Sequence, residues 1–343
     1  MPEREEQKKL WFLLKAYDSG WLKYEPREKK DIDFSKYTIA QVNEINNVLL
    51  LIKRIIDEAY RSLPDMYETG RPPKSACDKA KAVMVQQFFQ CSNRVAEGFV
   101  KLFKEKLGIT ESLTYKDIER AYDNPDVAMI IHAAHSLSNE PVSSNEKDFS
   151  IDGTGLPESS KRNYASDKAK GNAMKGYEKL VAIFGNNYKL IGACSIADAH
   201  DNECPYLRPL LDKLMEIYEE LGLFQADAAY LSRENCDAIV AYGGTPRIYP
   251  KSNSVINQKG SKAWTHMLLA FITDPQQWLT DYHMRSISES GNSVIKRRLP
   301  RNLLKKDTTR RKCEAFSRAC IYNFRQLNYI HYLCPEIDVY WLN

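Results

Sequence analysis

Tyr282, Arg285, Glu289 and Lys296 lie in the stretch DYHMRSISESGNSVIKRR (281–298) and spell Y-x2-R-x3-E-x6-K. On an α-helix, at about 100° per residue counted from Tyr282, Arg285 falls near about −60°, Glu289 about −20° and Lys296 about −40°. One stripe would then carry a phenol, two cations and a carboxylate. Such a stripe makes a poor core face, but it suits a helix that offers a metal-binding carboxylate to a phosphate backbone.

Two further acids stand where acids are costly. Asp152 ends an apolar strand in FSIDGTG (149–155), beside a Gly-x-Gly turn, and Asp227 interrupts the apolar run LFQADAAY (223–230). Burying either carboxylate is unfavourable unless it is paired, hydrogen-bonded or bound to a metal. With Glu289 they make three hard oxygen ligands, which suit Mg2+ or Mn2+ and not zinc or iron. Such a trio can hold two ions about 4 Å apart around a scissile phosphate. One ion would activate the attacking oxygen and the other would stabilise the leaving one. Asp198 and Asp201 compete for the second position but read as turn formers, with Asp201 open to a supporting role. His200 and His283 could act as bases, which two metals make unnecessary. His132 and His135 read as structural.

These side chains need a scaffold that joins distant segments. Apolar spacing predicts a helix over 37–63, a break at GRPPK (70–74), a helical stretch over 75–108 and two short helices around DNPD (123–126). SNEPVSSNEK (138–147) has linker composition. Strands follow at 149–155, 177–185 and 188–198, with Asn186–Asn187 as a hairpin turn. A helix over 205–222, the run 223–230, a helix over 232–244 capped by Ser232 and stopped by Gly243, and a strand at 245–251 complete the order βββαβαβα. That order implies a mixed five-stranded sheet flanked by helices, an α/β fold, preceded by an all-helical region. From Asp274 the chain is helical through the opening motif, and a basic helix follows Pro300 to about residue 333. Residues 1–30 are charge-rich and fit no element.

The 343 residues allow two or three domains, and 43% hydrophobic content is enough for a real core. Residues 285–325 hold twelve Lys or Arg against three acids, a net +9 in a chain of net +4, so the remainder carries −5. A basic block at the motif points to a polyanion, most simply nucleic acid; a solvated basic helix pair is the alternative. The eight cysteines include no CxxC pair, and Cys194, His200 and Cys204 fit no common zinc spacing. The N-terminus is too charged for a secretory signal and the longest apolar runs are too short to span a bilayer. A soluble, cytoplasmic protein with reduced thiols and no membrane partner is expected.

The strand aspartates and the Y-R-E-K glutamate together resemble the DDE transposases of prokaryotic insertion sequences. The resemblance covers about residues 148–335 and extends more loosely to the helical region at 70–137. ADAHDNE (197–203) resembles the family's His-Asp element. The 62-residue gap from Asp227 to Glu289 leaves no room for the large insertion domain of some relatives. The resemblance implies an RNase H-like catalytic domain at 148–335 and a helical DNA-binding or dimerisation domain at 1–140. It makes Asp152, Asp227 and Glu289 the catalytic residues and ligands of two Mg2+ or Mn2+ ions. Tyr282, Arg285 and Lys296, with Arg297 and Arg298, become DNA contacts. The expected partners are double-stranded DNA, as terminal inverted repeats and target, and a second copy of the chain. Simpler roles stay open: an i,i+4 ion pair to Glu289 for Arg285, a solvated lysine at 296, an aromatic anchor at Tyr282. An RNase H-like nuclease, or an inactive copy that only binds DNA, remains the alternative function.

Overall fold

The computed structural model describes residues 2–27, 31–64, 74–158, 176–256, 260–299 and 302–343. Apart from Lys74, the GRPPK break lies outside these residues, as does Pro300.

Among the described residues, seven α-helices precede the sheet: α1 (Pro2–Asp18), α2 (Phe34–Ser62), α3 (Ala76–Phe89), α4 (Asn93–Leu102), α5 (Lys104–Leu107), α6 (Tyr115–Ala121) and α7 (Pro125–Leu137). Helix α2 starts where the Asp33 carboxylate accepts from the Ser35 and Lys36 amides, and it buries Val48, Leu49, Ile52, Ile55 and Ile56. The single stretch expected over 75–108 is three helices. Gln90 turns left-handed at φ 54° after α3, and Ser92 caps a new helix by accepting from the Val95 amide. The two helices around DNPD form as expected.

Residues 138–147 are not a loose linker. Ser138, Asn139, Val142 and Glu146 are buried. The Glu146 carboxylate accepts from the amides of Asn187 and Tyr188, tying this segment to the hairpin it precedes.

Strands β1 (Phe149–Pro157), β2 (Tyr177–Gly185) and β3 (Ile191–Asp198) pair antiparallel, and β4 (Leu223–Ala226) and β5 (Thr245–Ile248) add in parallel. The order β3-β2-β1-β4-β5 is the RNase H-like mixed sheet that the element order implied. Helix α8 (Leu207–Met215) joins β3 to β4, and α9 (Arg233–Ala241), capped by Ser232, joins β4 to β5. Helices α10 (Lys262–Thr273), α11 (Pro275–Tyr282), α12 (Ser286–Arg298) and α13 (Thr308–Leu333) follow.

Helix α13 is the basic helix expected after Pro300. It is the central helix of the molecule, packed against α2, α3 and α7 on one side and β2 and β3 on the other. Its charges are matched internally: Arg318 pairs with buried Glu314 at 2.8 Å. The N-terminal helices and the sheet therefore share one hydrophobic core. The N-terminal residues that fitted no element form α1, whose Leu10, Leu13 and Leu14 are buried and which packs on α10.

Candidate active site

Strands β1 and β4 run parallel, with Phe149 opposite Phe224 and Ser150 opposite Gln225. The pairing ends there; Asp152 and Asp227 each lie two residues beyond it, and the charge of Asp227 acts on Asp152. Asp152 sits within β1, paired with Ala182 of β2, and not at the strand's end as the Gly-x-Gly sequence suggested. Asp227 lies just past β4, where its Oδ1 accepts from the Ala229 amide at 2.7 Å and starts a 3-10 turn.

Helix α12 packs over β1 and β2. Its approach depends on Gly291: a Cβ there would stand 2.4 Å from Cε1 of Phe184 on β2. Asn292, the next residue, donates from Nδ2 to Asp152 Oδ2 at 2.9 Å. Burial pushes the Asp152 carboxyl up to about 6. The Asn292 bond and the Arg285 charge oppose that rise, and the charges of Asp227 and Glu289 add to it. Asp152, Asp227, Glu289 and Arg285 thus share one electrostatic neighbourhood.

The helical stripe is not one α-helix. Tyr282 is the last residue of α11, His283–Arg285 is a 3-10 turn, and Glu289 and Lys296 lie on α12. At about three residues per turn, the 3-10 segment brings Arg285 round to stand above Tyr282. Its guanidinium carbon lies 5.7 Å from the Tyr282 ring centre. Arg285 Nη2 also pairs with Glu289 Oε1 at 2.6 Å. Burial works against the Arg285 charge, but Tyr282, Glu289, Asp152 and Asp227 together raise its pKa.

Tyr282 is 8% exposed, packed between Trp278 and Tyr249. Lys296 and Arg297 are exposed, and the charge of Asp152 reaches Lys296. Arg298 bonds Tyr329 and pairs with Glu44 at 3.5 Å.

Most of the cations behind the +9 of residues 285–325 are held in ion pairs. Eight of the twelve pair with acids: Arg285, Arg298, Lys305, Arg310, Arg311, Lys312, Arg318 and Arg325. Most of those acids come from outside the segment, which is why a count along the sequence overstated the free charge. Among the described residues, Lys296, Arg297 and Lys306 remain outside ion pairs.

Other site neighbours carried no obvious mark in the sequence. The Glu203 carboxylate lies over Gly153, where a Cβ would approach to 2.5 Å. Glu203 accepts from Tyr230 OH at 3.0 Å and pairs with Lys179 at 3.2 Å. Tyr230 is fully buried, and its hydroxyl pKa is raised by burial and then by Glu203, Asp152 and Asp227. Tyr230 at Asp227+3 and Asn292 at Glu289+3 could have been found by asking which polar residues sit one turn from each acid.

His283 is not free to act as a base. Tyr17 OH lies 2.6 Å from its Nε2, the Tyr24 ring stacks on it at 3.8 Å, and burial lowers its pKa. Asp201 accepts from Tyr206 OH and the Asp198 amide, as a turn former does. His132 and His135 pack on Phe316.

The donors near Asp152 are oxygens, as a hard divalent cation requires. One of them, Asn292 Oδ1, is buried and has no hydrogen-bond partner among the described residues. Among the described residues, however, no three His, Cys, Asp or Glu side chains stand close enough to hold an ion. Three carboxylates repel one another, and here Arg285 neutralises one of them. The donor chemistry suits a divalent metal, but with Glu289 paired to Arg285 the three carboxylates are not gathered around one point.

A mixed five-stranded sheet of this order, flanked by helices, defines an α/β protein of RNase H-like type. Residues 143–324, more than half of the chain, match the family model described as transposase DDE domain, and the chain belongs to that family. It is also 27% identical over 292 residues to the probable transposase for insertion sequence element ISA1214 of Archaeoglobus fulgidus, covering 77% of this chain and 83% of that protein. The chain is therefore a DDE transposase, an enzyme that cuts DNA and transfers strands with the help of a divalent metal. No described helix is long and apolar enough to cross a membrane.

Proposed function

We propose that Asp152, Asp227 and Glu289 are the catalytic carboxylates and hold two Mg2+ or Mn2+ ions. The observation that supports this reading is that the charges of Asp227 and Glu289 both act on buried Asp152, whose strand β1 runs parallel to β4 and lies against α12. Bound ions would lower the barrier by activating the attacking oxygen and neutralising charge on the leaving one. The chain's own residues do the positioning. Asn292 holds Asp152, Tyr282 and Trp278 fix the 3-10 turn, and that turn places Arg285 over the site. Arg285 exchanges Glu289 for a DNA phosphate when the metals bind, since a guanidinium serves either partner bidentately. Lys296 and Arg297 contact neighbouring phosphates, and Arg298 extends that row where it leaves Glu44. Tyr282 serves this surface from below, by supporting Arg285.

The substrates are the terminal inverted repeats of an insertion sequence and then target DNA, joined by direct attack of a freed 3′-hydroxyl. Two ends must be held together, so the working form is a homodimer on DNA. The helices of residues 1–140 supply end recognition or dimerisation.

Asp152→Asn tests the carboxylate assignment. Mg2+-dependent cleavage of an end-bearing duplex should vanish, with binding to the same duplex retained. Cleavage at the wild-type rate by this variant would overturn it. A strand-transfer assay with precleaved ends separates a transposase from a nuclease, which would cut without joining.

A further inference from the structure

A buried side-chain amide stands against Asp152. Asn292 lies one turn beyond Glu289 on α12 and is 4% exposed. Its Nδ2 is used on Asp152 Oδ2 at 2.9 Å. Among the described residues, its Oδ1 is buried and meets no donor. Buried acceptors are rarely left alone in this way, because they have given up water for nothing. Rotating the amide would not help: it would set Oδ1 against a carboxylate oxygen and strand the amino group in its place. The arrangement is satisfied if the empty valence of Oδ1 faces a cation. Amide carbonyl oxygens are hard, neutral donors that complete the shells of Mg2+- and Mn2+-type ions beside one or two carboxylates.

We propose that Asn292 is a metal-site residue of this transposase, steering Asp152 with its amide N–H and giving its carbonyl oxygen to the ion that Asp152 binds. The inference rests on the assignment of Asp152 as a ligand. It adds a fourth oxygen to the three carboxylates and explains why an amide stands one turn from the catalytic glutamate. A hydrophobic residue there would pack as well against the sheet but would leave Asp152 unsteered.

The test is Mn2+ binding to the full-length protein without DNA, read from the free-ion signal in electron paramagnetic resonance. Asn292→Ala should weaken binding about 10–100-fold, as loss of a group that orients and supplements a ligand does. Asn292→Asp replaces the carbonyl with a carboxylate oxygen and cannot donate to Asp152. It should bind Mn2+ at least as tightly as wild type, while melting at a lower temperature in EDTA. A residue that only tethers Asp152 gives the opposite ranking, with Asn292→Asp as damaging to metal binding as Asn292→Ala. Affinity within twofold of wild type in Asn292→Ala, alongside loss of binding in Asp152→Asn, would overturn the proposal and leave the carboxylate assignment standing. Wild-type affinity in Asp152→Asn would instead remove the assignment itself. Should Asn292→Ala fail to fold, Asn292→Ser against Asn292→Asp decides the same question: tighter binding by Asn292→Ser counts against the proposal.

Discussion

At the scale of single residues, the site is set by what is missing as much as by what is charged. Gly291 brings α12 within reach of the sheet because no Cβ separates it from the Phe184 ring. That ring is itself held edge-on by Tyr322 at 6.0 Å, so it has little freedom to yield. Gly291→Ala should therefore push α12 outward and lengthen the Asn292–Asp152 contact. Overpacking of this kind costs about 1–3 kcal/mol, readable as a lower urea midpoint at an unchanged slope. The same variant should weaken Mn2+ binding, since α12 carries both Glu289 and Asn292. Phe184→Leu, which makes room, should recover part of both losses in the double variant. A Gly291→Ala protein as stable as wild type would show that the helix does not depend on this close approach. The sequence announced the acids and gave no hint of this contact, because a glycine among serines and asparagine reads as helix-weakening until the ring beneath it is known.

At the scale of elements, the sequence was most legible where a segment carries a full apolar period and its own punctuation. The hairpin of β2 and β3 and the Ser232-capped α9 needed no tertiary information. Helices α1 and α10 were missed for opposite reasons: α1 buries only a few leucines in a charged sequence, and α10 is apolar over most of its surface. The 3-10 turn at His283–Arg285 was invisible for a third reason. Its residues are ordinary helix formers, and nothing in their types or spacing marks the tighter turn. Helix α7 shows how an element stores a pH response. Burial pushes His132 down to about 4 and His135 down to about 3, with the Lys213 charge acting in the same direction on each. Both are neutral in the folded protein, whereas the unfolded chain protonates them near pH 6.5. Stability is full above pH 6.5 and falls by about 1.4 kcal/mol per pH unit per histidine as pH drops toward their folded values. Asp152 works the other way, favouring the fold at low pH and losing that contribution as pH rises through about 6. Urea midpoints between pH 6.5 and 4 should thus flatten in a His132→Leu/His135→Leu variant. An acid limb of unchanged steepness would place the titrating groups elsewhere.

At the scale of the whole molecule, the basic block is an organising device before it is a DNA surface. Acids from the N-terminal helices meet it across the core: Glu44 takes Arg298 and Arg325, and Glu119 takes Lys305 and Arg310. Helix α13 is thereby fixed between two parts of the chain, and the charge left for a polyanion shrinks to a few side chains near α12. This has a measurable consequence. Counterion release makes log K fall with log salt by about 0.9 per phosphate neutralised. Lys296→Ala and Arg297→Ala should each flatten that slope by about one phosphate's worth in anisotropy titrations on end-bearing duplex. Lys312→Ala is the contrast: its ammonium already pairs with Asp198 at 2.9 Å, so its loss should leave the slope near wild type. If instead all three flatten the slope equally, the ion pairs open on DNA and the whole block serves as the interface. The charge count along the sequence would then have measured the binding surface, and the internal pairing would be a resting arrangement that DNA displaces.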